Sequence, residues 1–365
     1  MKYPLMAMSL VAGLFATAGI FSAEPLVRHD VVGLRLDLKA PQPLVDDYFD
    51  PSAGRAVSMV LRVTVASNGK VKEAHAGEGF YTTGQGRRAE KFAKYLAFTP
   101  KTIDGKPVES SGELPIRYWF PASENVSPAV QDSLKEAARH ISARNWSAAL
   151  ERLDRMVANE ISSISSFMVT EYLRVAVYEG MGDTEQALRH ARLALRCWLA
   201  GGTSLRRECP APVAMVSQTL IRAIGLESRL GRYAEALDDW DTLQAFDKQS
   251  ATSDLADEVA KVRTLIASGD PVTTWLVMDA AGEGHADLFR LSLAVDSVEG
   301  GALDEASLEC KSADAAPGHR DGYELPLAER SWSIPSTASG CTLILRGKSG
   351  TRVKIVQSGN PMPAA

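Results

Sequence analysis

Between Val57 and Phe120 the spacing of apolar residues changes twice, and this constrains the fold more than any other feature of the chain. Val57, Met59, Leu61, Val63 and Val65 alternate with Ser58, Arg62 and Thr64, the period of a strand buried on one face. Asn68-Gly69 follows, a pair suited to the positive φ angles of a tight hairpin turn, and VKEAHAG resumes as a second strand. Ala89, Phe92, Ala93 and Leu96 then recur at helical spacing, with Arg87, Arg88, Lys91 and Lys94 off that stripe. Gly84-Gln85-Gly86 lacks the third glycine of a dinucleotide fingerprint and reads as punctuation before this helix. Leu114, Ile116, Tyr118 and Phe120 alternate again. The predicted order is β-hairpin, helix, strand.

This stretch resembles the C-terminal domain of the TonB family, periplasmic proteins that engage outer-membrane transporters. The matching signals are the strand-Asn-Gly-strand hairpin, a helix running on to Phe98-Thr99-Pro100, then Asp104-Gly105-Lys106-Pro107-Val108, then the last strand. The resemblance covers residues 45–121. It implies that the last strand pairs with a short peptide of a transport partner through Glu113, Leu114, Ile116, Arg117, Tyr118 and Trp119. Pro115 independently favours a sheet edge, because proline cannot donate to a ladder. A second proline at Ile116 is expected to remove another edge donor.

The preceding residues bear on whether such a domain transmits force. Lys2 followed by an apolar run from Leu5 to Phe21, with Ala16-Thr17-Ala18 near its end, reads as a signal peptide over 1–23, or alternatively as an uncleaved anchor. A TonB transducer resembles a rod with an anchor histidine and a long proline-rich spacer. Here the apolar run has no histidine, and the leading segment, 24–44, has no proline repeat. Leu34, Leu36 and Leu38 alternate there, so part of it is expected to form a strand.

The middle of the chain, 128–268, reads as helical hairpins. Trp146-Ser147-Ala148-Ala149-Leu150, Thr184-Glu185-Gln186-Ala187-Leu188 and Tyr233-Ala234-Glu235-Ala236-Leu237 each place Ala-Leu soon after a loop residue. They resemble tetratricopeptide repeats, in which a small alanine lets paired helices approach closely. Ala149, Ala187 and Ala236 are 38 and 49 residues apart, so the repeats are degenerate. Three hairpins and a closing helix, Leu255 to Ile266, are expected. From 272 to 358 short alternating runs separated by glycine, proline and aspartate predict a small all-β, sandwich-like domain, with 359–365 as a tail. The fold class is thus multidomain α+β.

Four cysteines allow three pairings. Proximity in sequence favours Cys197–Cys209 and Cys310–Cys341, and an even count with an export signal fits an oxidising compartment, the periplasm. No His-Glu-x-x-His, nucleophile elbow, P-loop or Cys-x-x-Cys occurs. His140 and His190 fall in helices as solvated or packing residues, and GEGHAD around His285 reads as a glycine-flanked loop. No enzyme activity, metal or cofactor is expected. The chain's net charge of −5 argues against general nucleic-acid binding. Yet residues 57–120 carry ten bases and six acids, and Arg87, Arg88, Lys91 and Lys94 form a basic surface suited to acidic peptides or anionic surfaces. The expectation is a periplasmic, non-enzymatic protein-binding adaptor with an outer-membrane transport partner. The alternatives are an energy transducer held at the inner membrane, and an accessory ligand- or carbohydrate-binding protein acting through the β-domain.

Overall fold

The computed structural model describes residues 28–36, 56–118, 127–199, 213–279, 282–311 and 319–362. The segment read as a signal or anchor lies outside them, as do Cys209, Trp119 and Phe120. Among the described residues no helix is long and apolar enough to cross a membrane.

Two short strands come first, β1 (Arg28–Val32) and β2 (Arg35–Leu36). The alternating stretch then forms β3 (Val57–Val65) and β4 (Val71–Phe80), paired antiparallel. Gly69 takes φ 80° in the turn between them, and a Cβ there would stand 2.2 Å from the Phe98 carbonyl oxygen. Asn68 does not share the positive φ, so glycine alone supplies the left-handed residue of this turn.

Helix α1 (Thr83–Ala93) starts on a capping box, in which Thr82 accepts from the Gln85 N–H and the Gln85 side chain accepts from the Thr82 N–H. The glycines at 84 and 86 therefore sit inside the helix, not before it. The helix also ends earlier than expected. Phe98 leaves it to form β5 (Phe98–Thr99), which pairs with β2. Two tiny strands follow, β6 (Thr102–Ile103) and β7 (Lys106–Pro107), then β8 (Ser110–Tyr118), which begins four residues before the apolar alternation does. Sheet order is β4-β3-β8. Val57, Met59, Leu61, Val63 and Val65 bury one face against Ala89, Phe92 and Ala93 of α1.

Among the described residues seven α-helices make three hairpins and a closing helix: α2 (Pro128–Ser142), α3 (Trp146–Asn159), α4 (Ile164–Met181), α5 (Thr184–Leu199), α6 (Val213–Leu230), α7 (Tyr233–Phe246) and α8 (Ser253–Ala267). Ser127, Asn145, Ser163 and Thr252 cap four of them through side-chain oxygens. Ala149, Ala187 and Ala236 are buried, as close helix approach requires.

The remaining strands are β9 (Val272–Val277), β10 (Glu283–Asp287), β11 (Arg290–Glu299), β12 (Leu303–Lys311), β13 (His319–Glu324), β14 (Ser331–Ser333), β15 (Ser339–Gly347) and β16 (Arg352–Pro361). They form a sheet of order β14-β11-β16-β9 and most of a larger one, β10-β15-β12-β13-β1-β6-β7. Leu308, Leu343 and Leu345 from the larger sheet meet Leu293, Val353 and Ile355 from the smaller in one apolar core. Cys310 and Cys341 form a disulfide between β12 and β15.

Two boundaries and one loop expected from sequence differ in the structure. The larger sheet is not confined to 272–358, because β1 pairs along β13, and β6 and β7 extend it beyond β1. The Asp104-Gly105 turn thus belongs to a hairpin that joins the two β units. GEGHAD is not a loop but β10, paired with β15 and opposed by Arg346 to Thr342. Finally, β16 runs through Pro361 and Met362 packs on the core, so 359–362 completes the domain instead of trailing from it.

The units are fastened by identifiable contacts. Phe80 stacks on Phe167 of α4 at 5.0 Å, and the Ala56 N–H donates to the Ser162 carbonyl at 2.9 Å. Arg290, wholly buried, donates to the carbonyls of Leu265 (2.6 Å), Ile266 (2.5 Å) and Asp270 (3.0 Å). A cation thereby satisfies carbonyls at the C-terminus of α8, where helix dipoles are negative. Lys101 meets Glu309 of β12 at 2.6 Å.

Candidate functional site: the β8 edge and the adjoining cleft

β8 pairs with β3 from Val57↔Tyr118 to Val65↔Ser110 without a register shift. Among the described residues β3 is its sole strand neighbour. Which backbone groups of β8 are spare follows from β3. The Ser58 and Val60 carbonyl oxygens approach Gly79 and Gly77 of β4, lying 2.2 and 3.0 Å from where a Cβ would stand on each. Ser58 and Val60 therefore turn their peptide groups toward β4. Met59 and Leu61 turn theirs toward β8, where they oppose Ile116 and Leu114. It follows that Leu114 and Ile116 spend their N–H and C=O groups on β3, while Ser111, Glu113, Pro115 and Arg117 direct theirs to the outer side.

Pro115 opposes Val60, a position where β3 offers no carbonyl, so its missing N–H costs the ladder nothing. The same parity corrects the role expected of Ile116. Its N–H serves β3, and its side chain is buried with Met59 and Leu61. Proline there would damage the sheet itself. Glu113 is the exposed member of the set, with Arg62 Nε 3.8 Å from its carboxylate, and Leu114 is half-buried on the core side. For Arg117 and Tyr118 the structure describes the backbone alone, and Trp119 lies outside the described residues.

On the other side of this sheet, β4 forms one wall of a cleft of about 550 Å³ against α3, α4 and α5. Its floor is an ionic cluster centred on a buried glutamate. Glu171, fully buried, meets Arg174 at 2.6 Å and His190 Nδ1 at 2.5 Å, and Arg174 reaches Asp154 at 2.5 Å. The His190 ring stacks on Tyr178 at 5.0 Å. At the rim Arg189 meets Glu78 of β4 at 2.6 Å, and Arg196 donates to the Glu78 carbonyl. Burial pulls the Arg196 guanidinium below its usual range. Tyr81 donates to the Gly77 carbonyl at 2.5 Å, and burial raises its phenol above the usual value.

Every charge of this cluster has a partner within the chain, so the cluster is a rigid seam holding the sheet to the helices. Sequence reasoning missed it and left His190 as a generic helical histidine. The available signal was Glu171, an acid inside the apolar run FMVTEYLRVAV. Arg87, Arg88, Lys91 and Lys94 are all exposed on α1, away from both the edge and the cleft floor. Cys310 and Cys341 are bonded, as sequence proximity favoured, whereas in the expected Cys197–Cys209 pair Cys209 lies outside the described residues and the structure describes the backbone alone at Cys197. His285 pairs with Glu283 across 3.7 Å, and that contact with Arg346 beside it holds the Glu283 carboxyl down at about 2. Among the described residues no group of three or more His, Cys, Asp or Glu is arranged to hold a metal ion.

Comparison with models of known protein families found no match to this chain, and comparison with curated proteins found none.

Proposed function

We propose that this chain is a periplasmic, non-enzymatic adaptor, related to the TonB C-terminal domain, that captures an extended segment of a protein partner by strand addition to β8. The observation that carries the reading is the outward set of backbone groups at Ser111, Glu113, Pro115 and Arg117, on a strand with one described neighbour. An incoming strand gains its affinity from such groups, and its selectivity from the side chains that alternate beside them. The helical hairpins, which resemble tetratricopeptide repeats, act as the scaffold that holds the module, and the cleft cluster fixes its orientation. The class of partner that fits is a peptide arm of an outer-membrane transport protein.

The test is hydrogen exchange on the full chain, with and without partner material captured from periplasm by crosslinking. Capture at β8 slows exchange at the Glu113 and Arg117 amides and leaves Leu114 and Ile116, already bonded to β3, unchanged. Glu113→Pro removes one outward donor and should weaken capture about tenfold, the worth of a hydrogen bond of roughly 1 kcal/mol and its desolvated partner. Unchanged exchange at Glu113 and Arg117 in a complex that does form would refute strand addition.

A further inference from the structure

We propose that the exposed face of α1 is a docking surface for an anionic phospholipid bilayer, a role separate from strand capture. Successive residues of a helix are ~100° apart, which gathers Arg87, Arg88, Lys91 and the C-cap residue Lys94 within an arc of about 120°, and Tyr95 follows in the turn just past the helix. All five are exposed, Tyr95 at 56%. The opposite arc, Ala89, Phe92 and Ala93, is buried in the sheet's core. The four cations make no ion pair within the described chain. Many other arginines do, including Arg62, Arg152, Arg174, Arg189, Arg192, Arg222, Arg232 and Arg346. The helix's own acid, Glu90, is turned aside to accept from the Ala76 N–H at 2.9 Å. The positive charge of this face is therefore uncompensated.

Its shape decides what kind of anion it fits. The four cations line neither the cleft beside β4 nor the cavity of about 390 Å³ between β8 and the larger sheet. They stand on a convex helix face, and among the described residues of that face no apolar row runs beside them to take a peptide's side chains. Long flexible cations on a convex face suit a broad, planar field of charge, and an exposed tyrosine at the margin suits the interface between head groups and water. The face also points outward. α1 covers one side of the three-stranded sheet, while Arg62 on the other side reaches Asp279 of the β-sandwich at 3.0 Å.

The experiment is co-sedimentation of the full chain with phosphatidylcholine vesicles made with and without phosphatidylglycerol, at low and high salt. The apolar stretch from Leu5 to Phe21 is common to all proteins tested and indifferent to head-group charge, so the difference between vesicle types reads α1. Binding should rise with phosphatidylglycerol and fall with salt, by roughly fivefold for each cation engaged. Arg87→Gln, Arg88→Gln, Lys91→Gln and Lys94→Gln together should abolish the increment, with circular dichroism unchanged because the buried face is untouched. Reversing the exposed Lys248 and Lys348 to glutamate is the control for net charge and should leave the increment largely in place. Glu113→Pro should also leave it, which separates this surface from strand capture. Equal binding to both vesicle types, equal loss in the control, or tighter binding of a polyglutamate peptide than of vesicles at the same salt would each overturn the proposal, the last in favour of an acidic peptide.

Discussion

The two β units of this chain treat their edges in opposite ways. The larger sheet would end at β13, but strands from far upstream cover it: β1 pairs along β13 and the β6–β7 hairpin extends the sheet further. The smaller sheet, drawn from 57–118 alone, has β8 with β3 as its one described strand neighbour. An uncovered row of peptide groups is normally a hazard that folds suppress. Upstream segments close one edge here, whereas among the described residues the other edge meets no second strand and carries a proline, which is what the proposed strand capture needs.

The comparison can be broken first at the larger sheet. The Cys310–Cys341 disulfide spans 31 residues, and closing such a loop stabilises by about 4 kcal/mol in the chain-entropy account. Replacing both cysteines with alanine should lower the melting temperature of the sandwich by that equivalent, seen by calorimetry under oxidising conditions. The three-stranded sheet has no such crosslink among its described residues, and its amide protection should be spared.

The recruited strand gives the next largest effect. Val31 opposes Arg320 on one side and Ile103 on the other, so its N–H meets a neighbour whichever way it points. Val31→Pro should cost about 3 kcal/mol, by analogy with proline inside a hydrogen-bonded element. Hydrogen exchange should show β13 and β6 losing protection together. Protection retained at β13 would mean that β1 is ornamental and the contrast of edges false.

How much of this was legible in the sequence follows the same division. Val57–Val65, the Gly69 turn and the three helical hairpins depend on neighbours within a few residues, and their periodicity shows it. β1 finds one partner, β13, almost 300 positions away and the other, β6, about 70 away, and nothing in RHDVV or TIDGKP names them. β10 was hidden because Glu283-Gly284-His285-Ala286-Asp287 alternates glycine and alanine inward instead of large apolar residues. Gly284 faces Met278, whose side chain fills the space a larger residue would need. Pro115 marked the edge from sequence, yet which neighbouring N–H groups face outward required the register. That is why Glu113, not Ile116, is the position to probe.

The helical scaffold that carries both β units offers a smaller, pH-dependent effect. Arg192 of α5 lies between two buried carboxylates, Glu227 of α6 and Asp239 of α7. Arg232 and Glu185 pair nearby at 3.0 Å. Glu227 Oε2 has no hydrogen-bond partner among the described residues, and burial pushes its carboxyl up to about 8. The folded state therefore holds a proton that the unfolded chain releases near 4.5. The stability contributed is complete below that value and is lost as pH rises through about 8. Glu227→Gln should flatten this slope, so urea midpoints for variant and parent should diverge between pH 5 and 8 in the variant's favour. Unlike the Glu171 cluster, whose charges are paired, this one should be improved by making one buried carboxyl permanently neutral.

The smallest effect on stability belongs to the edge itself. Pro115 faces outward, so Pro115→Val restores a donor that β3 neither needs nor opposes with a carbonyl. The melting temperature should move little, within the ~0.5 kcal/mol usual for surface changes. Association should change more. With Ser111, Glu113, Val at position 115 and Arg117 all donating outward, the edge presents an unbroken row, and two copies can pair edge to edge. Light scattering should show concentration-dependent dimers that Glu113→Pro, added to the same chain, removes. A partner strand should also bind Pro115→Val more tightly than the parent, by several-fold for one added bond. If the valine variant neither dimerises nor binds better, the outer side of β8 is already occupied in the folded chain, and the contrast between a closed sheet and an open one disappears.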